Sequence, residues 1–292
     1  MASVPTEQIP PVYHRRMGEF VVTALSDGIL VRTHEMMIGV TEEESRSRLA
    51  AAFRSEIAIS VNAFLLRRGG EVILIETGSG NYFGPVAGHL LANLRRAGVE
   101  PGEVKAILLT HMHPDHSAGL TDLASGRANY PNAELIVHEN EPRHWFDDAA
   151  MARGTERERR LMFQQAREQT APYRDRMRLF KSGEILPGII AIPAHGHTPG
   201  HTAYLIESGG ERLLIWGDTV HIPEVQVPRP EVAMVVDTDP AAAVASRRRI
   251  FDMAASERLL VTGMHLHFPG FGHLARDNGR YAFVPEAWRQ SL

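Results

Sequence analysis

Short apolar runs, most of them followed by a turn rich in Gly, Pro or Asp, dominate the pattern of this chain. Their lengths suit β-strands better than helices, and runs without polar residues are typical of strands that are buried on both faces. Asp27 and Gly28 predict a turn between the first two runs. The predicted strands cover residues 20–25, 29–31, 61–66, 72–75, 104–109, 133–137, 189–192, 202–206, 213–216 and, as the final strand, 259–262.

Helical patterns lie between and after these runs. Leucines on one helical face predict a helix that ends at Gly98, and residues 42–54 have a helical composition. Asp239 followed by Pro240 suits the start of a helix that reaches about residue 255. Strand pairs followed by alternating strands and helices favour sheets with helices packed outside them.

The chain divides into three regions of different composition. Residues 1–17 are polar and Pro-rich at their start and are predicted to form an extended N-terminal arm. Residues 18–292 have the length of one large domain. Within that domain, residues 139–180 are charged and poor in β-branched residues, which predicts a helical insertion.

The composition excludes several classes of protein. The net charge of −4 gives no general attraction to nucleic acid or to anionic membranes. No apolar run is long enough to span a membrane, and the N-terminus has no apolar signal segment, so a cytoplasmic protein is predicted. The chain has no cysteine, which rules out disulfides and thiolate ligands. A metal site must therefore be built from Asp, Glu and the 15 histidines.

A dense group of metal-binding residue types follows the apolar run at residues 106–109. His111, His113, Asp115 and His116 fall within six positions, where a buried strand is predicted to end. Burying so many polar side chains without partners is costly, so a structural core does not explain them. Imidazole and carboxylate ligands together suit zinc, manganese, cobalt or iron. The sequence therefore predicts a metal site at the edge of a sheet.

Three later segments repeat this arrangement of a strand followed by a glycine-rich turn with a histidine or aspartate. They place His197, Asp218 and His265 directly after predicted strands. Glycine lets the backbone turn tightly at such strand ends, so these side chains can converge on the first group. His195 and His201 flank His197, and His221 follows Asp218 by three positions. These three histidines are expected to form hydrogen bonds rather than to bind metal.

With these four segments, the chain from about residue 18 to 288 resembles the metallo-β-lactamase-fold hydrolases. The resemblance implies a four-layer αββα sandwich, an α/β fold with two mixed β-sheets flanked by helices. It also implies two divalent metal ions, of which zinc fits best, with manganese, cobalt or iron as alternatives. One ion would take His111, His113 and His197, and the second Asp115, His116 and His265, while Asp218 bridges them.

The stretch from Met264 to His273 is similar to the methyl parathion hydrolase-like branch of these enzymes, as are Tyr82-Phe83-Gly84-Pro85 and Gly217-Asp218-Thr219-Val220-His221. In that branch the late ligand is the first histidine, which selects His265 over His267. The branch includes organophosphorus triesterases and hydrolases of lactones or aryl esters. The resemblance is also compatible with a homodimer.

Such a site is suited to hydrolysis. Two metal ions about 3.5–4 Å apart lower the pKa of a bridging water to about 7, which supplies hydroxide without a serine or cysteine nucleophile. Asp115 and Asp218 are therefore the predicted catalytic residues. By resemblance, Phe83, Trp145 and Phe163 line the pocket, and His267 is a further candidate for its wall. An apolar pocket favours a small, neutral, hydrophobic ester or lactone as substrate.

Other functions of the same fold stay open at this point. A β-lactamase and a thioesterase of the glyoxalase II type are the nearest rivals. A nuclease is disfavoured because no basic or aromatic nucleic-acid arm is evident. An iron dioxygenase would load a single iron, whereas seven ligands favour two metals. A non-catalytic interaction module would present residues 139–180 to a partner, but degenerate modules usually lose some ligands.

Overall fold

Two seven-stranded β-sheets form the centre of the structure, a computed structural model that describes residues 8, 9 and 11–292, apart from the side chain of Asp277. The strands, labelled β1 to β18 in chain order, are Val12–Met17, Phe20–Arg32, Met37–Ile38, Ile57–Arg68, Glu71–Ile75, Ala106–Leu108, Thr121–Asp122, Arg127–Ala128, Glu134–His138, Met177–Phe180, Gly183–Leu186, Ile189–Pro193, Thr202–Ser208, Glu211–Ile215, Ala233–Met234, Leu260–Thr262, Gly272–Asp277 and Arg280–Pro285.

The helices are short, except for the last one. Labelled α1 to α9, they are Glu42–Ala51, Leu90–Arg96, Pro114–Ser117, Asn140–Trp145, Asp148–Arg153, Glu156–Glu158, Gln165–Thr170, Pro223–Gln226 and Pro240–Ser256. A π-helical turn at Arg159–Gln164 joins α6 to α7. None of the helices in the described part of the chain has the length and apolar character that crossing a membrane requires.

Each sheet mixes antiparallel and parallel pairing. The first has the order β1-β2-β4-β5-β6-β9-β10, and the second β11-β12-β13-β14-β16-β17-β18. The strands that lead into the candidate ligands lie inside the sheets: β6 pairs in parallel with β5 and β9, and β14 pairs in parallel with β16. Because parallel neighbours end at the same edge, the loops that follow them are brought together.

Apolar side chains fill the space between the sheets. Burying them removes a large apolar area from water, which is the main force that holds the two sheets together. Buried members from both sheets include Val22, Phe64, Ile75, Leu108, Ile189, Tyr204, Ile206 and Ile215.

Helices cover the outer faces of both sheets. Leu90 and Leu94 of α2 pack with Leu65 and Leu74 on the first sheet. On the second sheet, α9 packs through another buried cluster, which contains Leu205, Leu214, Val261, Ile250, Phe251 and Ala254. The layers are therefore helix, sheet, sheet and helix, and the predicted αββα architecture is confirmed.

The turn predicted at Asp27 and Gly28 is wrong. Residues 20–32 form one continuous strand that pairs with β4, with a shift in register between Ser26 and Gly28. The polar pair marks a β-bulge, where an extra residue bends the strand without ending it. A Cβ atom at Gly28 would lie 2.3 Å from the carbonyl oxygen of Val86, so this close approach requires glycine.

Sequence analysis also missed strands near the sheet edges. Val12–Met17, assigned above to the arm, is β1 and pairs with β2. Residues 259–262 are not the final strand, because a hairpin, β17 and β18, follows, turning at Asn278 and Gly279. Both turn residues have positive φ, and Asn-Gly is a strong hairpin signal that could have revealed this pair. The helical insertion ends in a strand, β10. The single-domain organisation stays a prediction.

The carboxylate of Asp27 holds the loop between β5 and α2 in place. Its oxygens accept hydrogen bonds from the backbone N–H groups of Ser79 at 2.8 Å, Gly88 at 3.0 Å and Leu90 at 2.9 Å. Asp27 is buried, so these bonds form away from water. The loop between those donors carries Phe83, the first predicted pocket residue.

We predict that Asp27→Ala lowers the free energy of unfolding by about 3 kcal/mol, because three buried backbone donors lose their acceptor. Urea denaturation measures this change. Asp122→Ala is the matched control, since Asp122 is only partly buried and also accepts a backbone hydrogen bond, from Ala124. A loss no larger than that of the control would contradict the assigned role of Asp27.

Candidate metal centre

Four loops that follow strand ends bring seven candidate ligands together. The loop after β6 carries His111 and His113 and leads into α3, which holds Asp115 and His116. His197 follows β12, and Asp218 and His265 follow β14 and β16. All of these side chains are buried except that of Asp115, which is 17% exposed. The convergence predicted from the sequence is therefore present in the structure.

The first group consists of His111, His113 and His197. The Nε2 atom of His197 lies 3.0 Å from Nδ1 of His113 and 3.2 Å from Nε2 of His111. These three nitrogens all lie within 4.8 Å of one another and can hold one metal ion. Three imidazoles that leave an open position are typical of a catalytic zinc site.

The second group consists of Asp115, His116 and His265. Nε2 of His116 lies 3.6 Å from one oxygen of Asp115, and Nε2 of His265 lies 3.6 Å from the other. These ligand atoms are also close enough to hold one metal ion. Asp115 is the most exposed of the three, and His116 and His265 are buried.

One carboxylate oxygen, Oδ2 of Asp218, lies between the two groups. Its five nearest imidazole nitrogens come from both groups and from His221. The distances are 3.1 Å to His221, 3.1 Å to His265, 3.2 Å to His116, 3.3 Å to His197 and 3.6 Å to His111. This position fits a carboxylate that bridges two cations.

Several buried polar atoms at the centre have no hydrogen-bond partner. They are Oδ1 of Asp218, both ring nitrogens of His116 and both ring nitrogens of His221. Unpaired buried polar atoms cost free energy, and metal coordination is one way to recover it. The donor set of imidazoles and carboxylates, together with these unpaired atoms, therefore fits divalent metal ions.

The electrostatics of the centre favour the same conclusion. Burial lowers the pKa of His111 and of His113 well below the ordinary value, and neighbouring imidazoles lower it further, so both stay neutral and can bind metal. Burial alone would raise the pKa of Asp218, but the charges of His116 and His265 hold it well below its usual range. Burial opposes protonation of His116, yet Asp218 and Asp115 raise its pKa well above normal. A metal ion would replace the proton on His116.

Hydrogen bonds from outside the centre orient three of the ligand rings, and a buried carboxylate lies near a fourth ring without bonding to it. Nδ1 of His111, His197 and His265 bonds to Oγ1 of Thr110 at 2.9 Å, Oδ1 of Asp237 at 2.8 Å and the carbonyl oxygen of Ser60 at 2.7 Å, respectively. Nδ1 of His116 lies 3.5 Å from Oε2 of buried Glu76. Such partners fix the tautomer and direction of the ligand.

Sequence analysis missed Glu76 and Asp237. Glu76 directly follows β5 and precedes a glycine-rich loop, so it shared the pattern that revealed the ligands. Asp237 lies in an irregular segment that carries no such signal. Burial by itself would lower the pKa of His197. The carboxylates of Asp218 and Asp237 have the larger effect and raise this pKa to about 9.

The flanking histidines differ in their surroundings. His201 accepts a hydrogen bond from the backbone N–H of Asp218 at 2.9 Å and bonds to Ala194, as expected of a supporting residue. His195 packs against His138. Nε2 of His221 lies 3.1 Å from Oδ2 of Asp218, but neither ring nitrogen forms a hydrogen bond, and His221 also belongs to a possible ligand group with His197 and Asp218, so its orienting role stays a prediction.

The structure places Trp145 and Phe163 together and gives Phe83 and His267 other neighbours. The indole ring of Trp145 lies 5.5 Å from the ring of His113 and 5.0 Å from that of Phe163, and both side chains are buried. Phe83 is half-buried, meets the ring of Tyr82 edge to face and packs against a separate apolar cluster. His267 is one-third exposed and bonds to Glu224 at 2.5 Å. The aromatic pair therefore adjoins the first ligand group.

Comparison with solved structures gives close matches over almost the whole chain. The crystal structure of hydrolase AbOPH in the beta lactamase superfamily is 32% identical, with a TM-score of 0.92, and covers 97% of this chain and 100% of that chain. AidC, described as a dizinc quorum-quenching lactonase in complex with a product, is 25% identical, with a TM-score of 0.88 and coverage of 96% and 98%.

Curated relatives match over shorter stretches. The uncharacterized protein YobT of Bacillus subtilis is 29% identical over 163 residues, which are 56% of this chain and 63% of YobT. An N-acyl homoserine lactonase of Bacillus thuringiensis is 24% identical over 170 residues, 58% of each protein. The matched region thus spans about 60% of the length of these relatives.

The metallo-beta-lactamase superfamily model matches residues 57–257, a range that includes His111, His113, Asp115, His116, His197 and Asp218. This match covers more than half of the chain and agrees with the two-sheet architecture. The chain therefore belongs to the metallo-beta-lactamase superfamily.

Proposed function

We propose that this protein is a metal-dependent hydrolase of lactones or aryl esters that uses two divalent metal ions, with zinc as the best fit. The observation that carries the proposal is the position of Asp218 Oδ2 between two complete groups of buried ligands. His111, His113 and His197 would hold one ion, and Asp115, His116 and His265 the other. The similarity to AidC, a dizinc lactonase, supports the lactone as a substrate class.

The bound metals would supply an activated water and polarise the oxygen of the scissile group. The chain itself contributes orientation and charge. Asp218 would offset the repulsion between two nearby cations, and Asp115, the least buried of the candidate ligands, would lie nearest to an entering substrate. Neutral His111 and His113 are already in the form that binds metal, so no proton has to leave them.

Trp145 and Phe163 favour a hydrophobic substrate. Their rings pack together beside His113, so an aryl or acyl group can lie against apolar surface while the scissile bond reaches the metals. Phosphotriesters share a neutral, apolar character with aryl esters, and we include phosphotriesterase activity as a secondary activity of the same site. Dimer formation and cytoplasmic location stay predictions.

We predict that Asp218→Ala abolishes binuclear loading. Without the bridging carboxylate, the two cations would repel each other without compensation, so one of the two ions is lost. Metal analysis after saturation with zinc and removal of free ions measures this, with Asp122→Ala as a surface-carboxylate control. Two zinc ions per chain in the Asp218 variant would refute the bridging role.

We predict that zinc-loaded protein has a higher kcat/KM for an aromatic lactone than for an aryl phosphotriester. The aromatic pair provides apolar surface for the ring, and AidC, a similar protein, is a lactonase whose structure was solved in complex with a product, N-hexnoyl-L-homoserine. The ratio of the two kcat/KM values measures the preference. A ratio far below one would contradict the prediction and make phosphotriesters the preferred substrates.

His113→Ala provides the control for both substrates. Removing one ligand of the first group should lower either activity by at least about 100-fold, because the metal can no longer be held correctly. Activity that survives this change would come from elsewhere on the protein or from a contaminant. If neither substrate is hydrolysed by the wild type while two zinc ions are bound, the proposed substrate class is wrong but the metal centre stands.

A further inference from the structure

A fully buried carboxylate outside the ligand set lies next to the first ligand group. Glu141 is on α4, at the start of the helical insertion, and its side chain has no exposure to solvent. No Lys, Arg or His in the described part of the chain forms an ion pair with it. Burying an acidic group without a cation is costly unless hydrogen bonds replace water. Glu141 accepts four such hydrogen bonds.

The oxygen Oε2 of Glu141 binds the loop that carries the first two ligands. It accepts a hydrogen bond from the backbone N–H of Met112 at 2.9 Å. Met112 lies between His111 and His113, so this bond fixes the backbone from which both imidazoles project. A change in the position of the carboxylate would therefore move two ligands together.

The other oxygen, Oε1, binds the loop that carries the third ligand. It accepts hydrogen bonds from the hydroxyl of Thr198 at 2.6 Å and from the backbone N–H of Gly200 at 2.8 Å. Thr198 directly follows His197 in the chain. One carboxylate thus joins two loops that come from different sheets and sets the spacing between His113 and His197.

The same carboxylate also holds Trp145, one of the predicted pocket residues. The indole Nε1–H of Trp145, one helical turn after Glu141, donates a hydrogen bond to Oε2 at 2.8 Å. This bond directs the indole ring toward His113 and Phe163. The carboxylate of Glu141 therefore fixes the positions of both the candidate ligand loops and the Trp145 ring.

The close approach of the second loop depends on Gly200. A Cβ atom at this position would lie 2.8 Å from Cγ of Glu141 and 2.9 Å from its backbone nitrogen, closer than real Cβ contacts. Only glycine lets this loop reach Glu141 without displacement. The contact therefore depends on glycine at position 200 as well as on the carboxylate of Glu141.

We propose that Glu141 is a positioning residue that sets both the geometry of the first ligand group and the orientation of the Trp145 wall. Metal affinity and the preference for bulky aryl groups then depend on one side chain that contacts neither metal nor substrate. The part that concerns aryl groups rests on the proposed function, whereas the part that concerns metal affinity does not.

A purely structural role makes a different prediction. If Glu141 only stabilised the fold, its replacement would lower the free energy of unfolding and leave the zinc affinity and substrate preference of the folded fraction unchanged. A positioning role predicts that both properties change in protein that is still folded. Glu141→Gln separates these alternatives, since it keeps the shape of the side chain but presents an amide NH₂ to hydrogen-bond donors.

The first experiment compares zinc affinity of Glu141→Gln and wild type by competition with a zinc-binding dye, after circular dichroism has shown that both are folded. We expect the affinity to fall about 10- to 100-fold, as for other residues that orient metal ligands. Glu139→Gln is the matched control, because Glu139 precedes the same helix but pairs on the surface with Arg143 and Lys181. Equal affinities of Glu141→Gln and wild type would overturn the proposal.

The second experiment measures substrate preference at saturating zinc. It uses 2-naphthyl acetate and trifluoroethyl acetate, which share an acyl group and differ in the bulk of the leaving group. We expect KM for the naphthyl ester to rise about fivefold more than KM for the other ester, a change that matches the loss of one aromatic contact. Trp145→Phe should change the ratio in the same direction and add little in the Glu141→Gln background. Additive effects of the two variants would refute the shared role.

Gly200→Ala keeps the test conclusive if Glu141→Gln does not fold. It pushes the second loop away from an intact Glu141 and should weaken zinc binding, whereas Gly102→Ala should not, since a Cβ at Gly102 has ordinary contacts. Wild-type zinc affinity in folded Gly200→Ala would count against the proposal. If the wild type binds zinc but hydrolyses neither ester, the proposed substrate class fails, and the zinc comparison still decides the role of Glu141.

Discussion

The convergence of five imidazole nitrogens on a single buried oxygen of Asp218 is the arrangement on which the rest of the site depends. Imidazoles do not gather in a protein interior by themselves, because each buried polar ring loses its bonds to water. The centre is therefore stable only if every ring is held from behind and if the space between the rings takes up positive charge. Hydrogen bonds behind His111, His197 and His265 meet the first condition for these three rings, and the unpaired atoms of Asp218, His116 and His221 mark where positive charge can be taken up.

The sheets explain how so many ligands reach one point. Parallel pairing of β5, β6 and β9 in one sheet and of β14 and β16 in the other makes strands end at common edges. All candidate ligands except His197, which follows the antiparallel strand β12, lie in the segments after these strands, so the rigid strands fix where each segment begins. Apolar packing between the sheets then fixes the distance between the two sets of loops. The geometry of the candidate ligands is thus a consequence of core packing.

Those features that are local in sequence were predictable, and those that depend on distant contacts were not. The ligand segments combine a strand, a turn and a metal-binding residue type within a few positions, so each could be found alone. Glu141 and Asp237 have no such local signature, since their roles depend on loops far away in the chain. The bulge at Asp27 was misread as a turn because a polar pair beside glycine has the same composition in both structures. Edge strand β1 was missed for a related reason: its mixed, charged sequence lacks the apolar run of a buried strand.

The insertion at residues 139–180 contacts the candidate metal centre through more than one of its helices. Trp145 and Phe163 lie on it, and Glu141 attaches its first helix to the ligand loops. Gln165 of α7 also donates a hydrogen bond to Ser117 at the end of α3, the helix that holds Asp115 and His116. A change in the insertion can therefore reach the second ligand group as well as the first, through different side chains. The π-helical turn at Arg159–Gln164 carries Phe163 and leads directly into Gln165, so an adjustment of this irregular segment would be transmitted both to the aromatic pair and to α3.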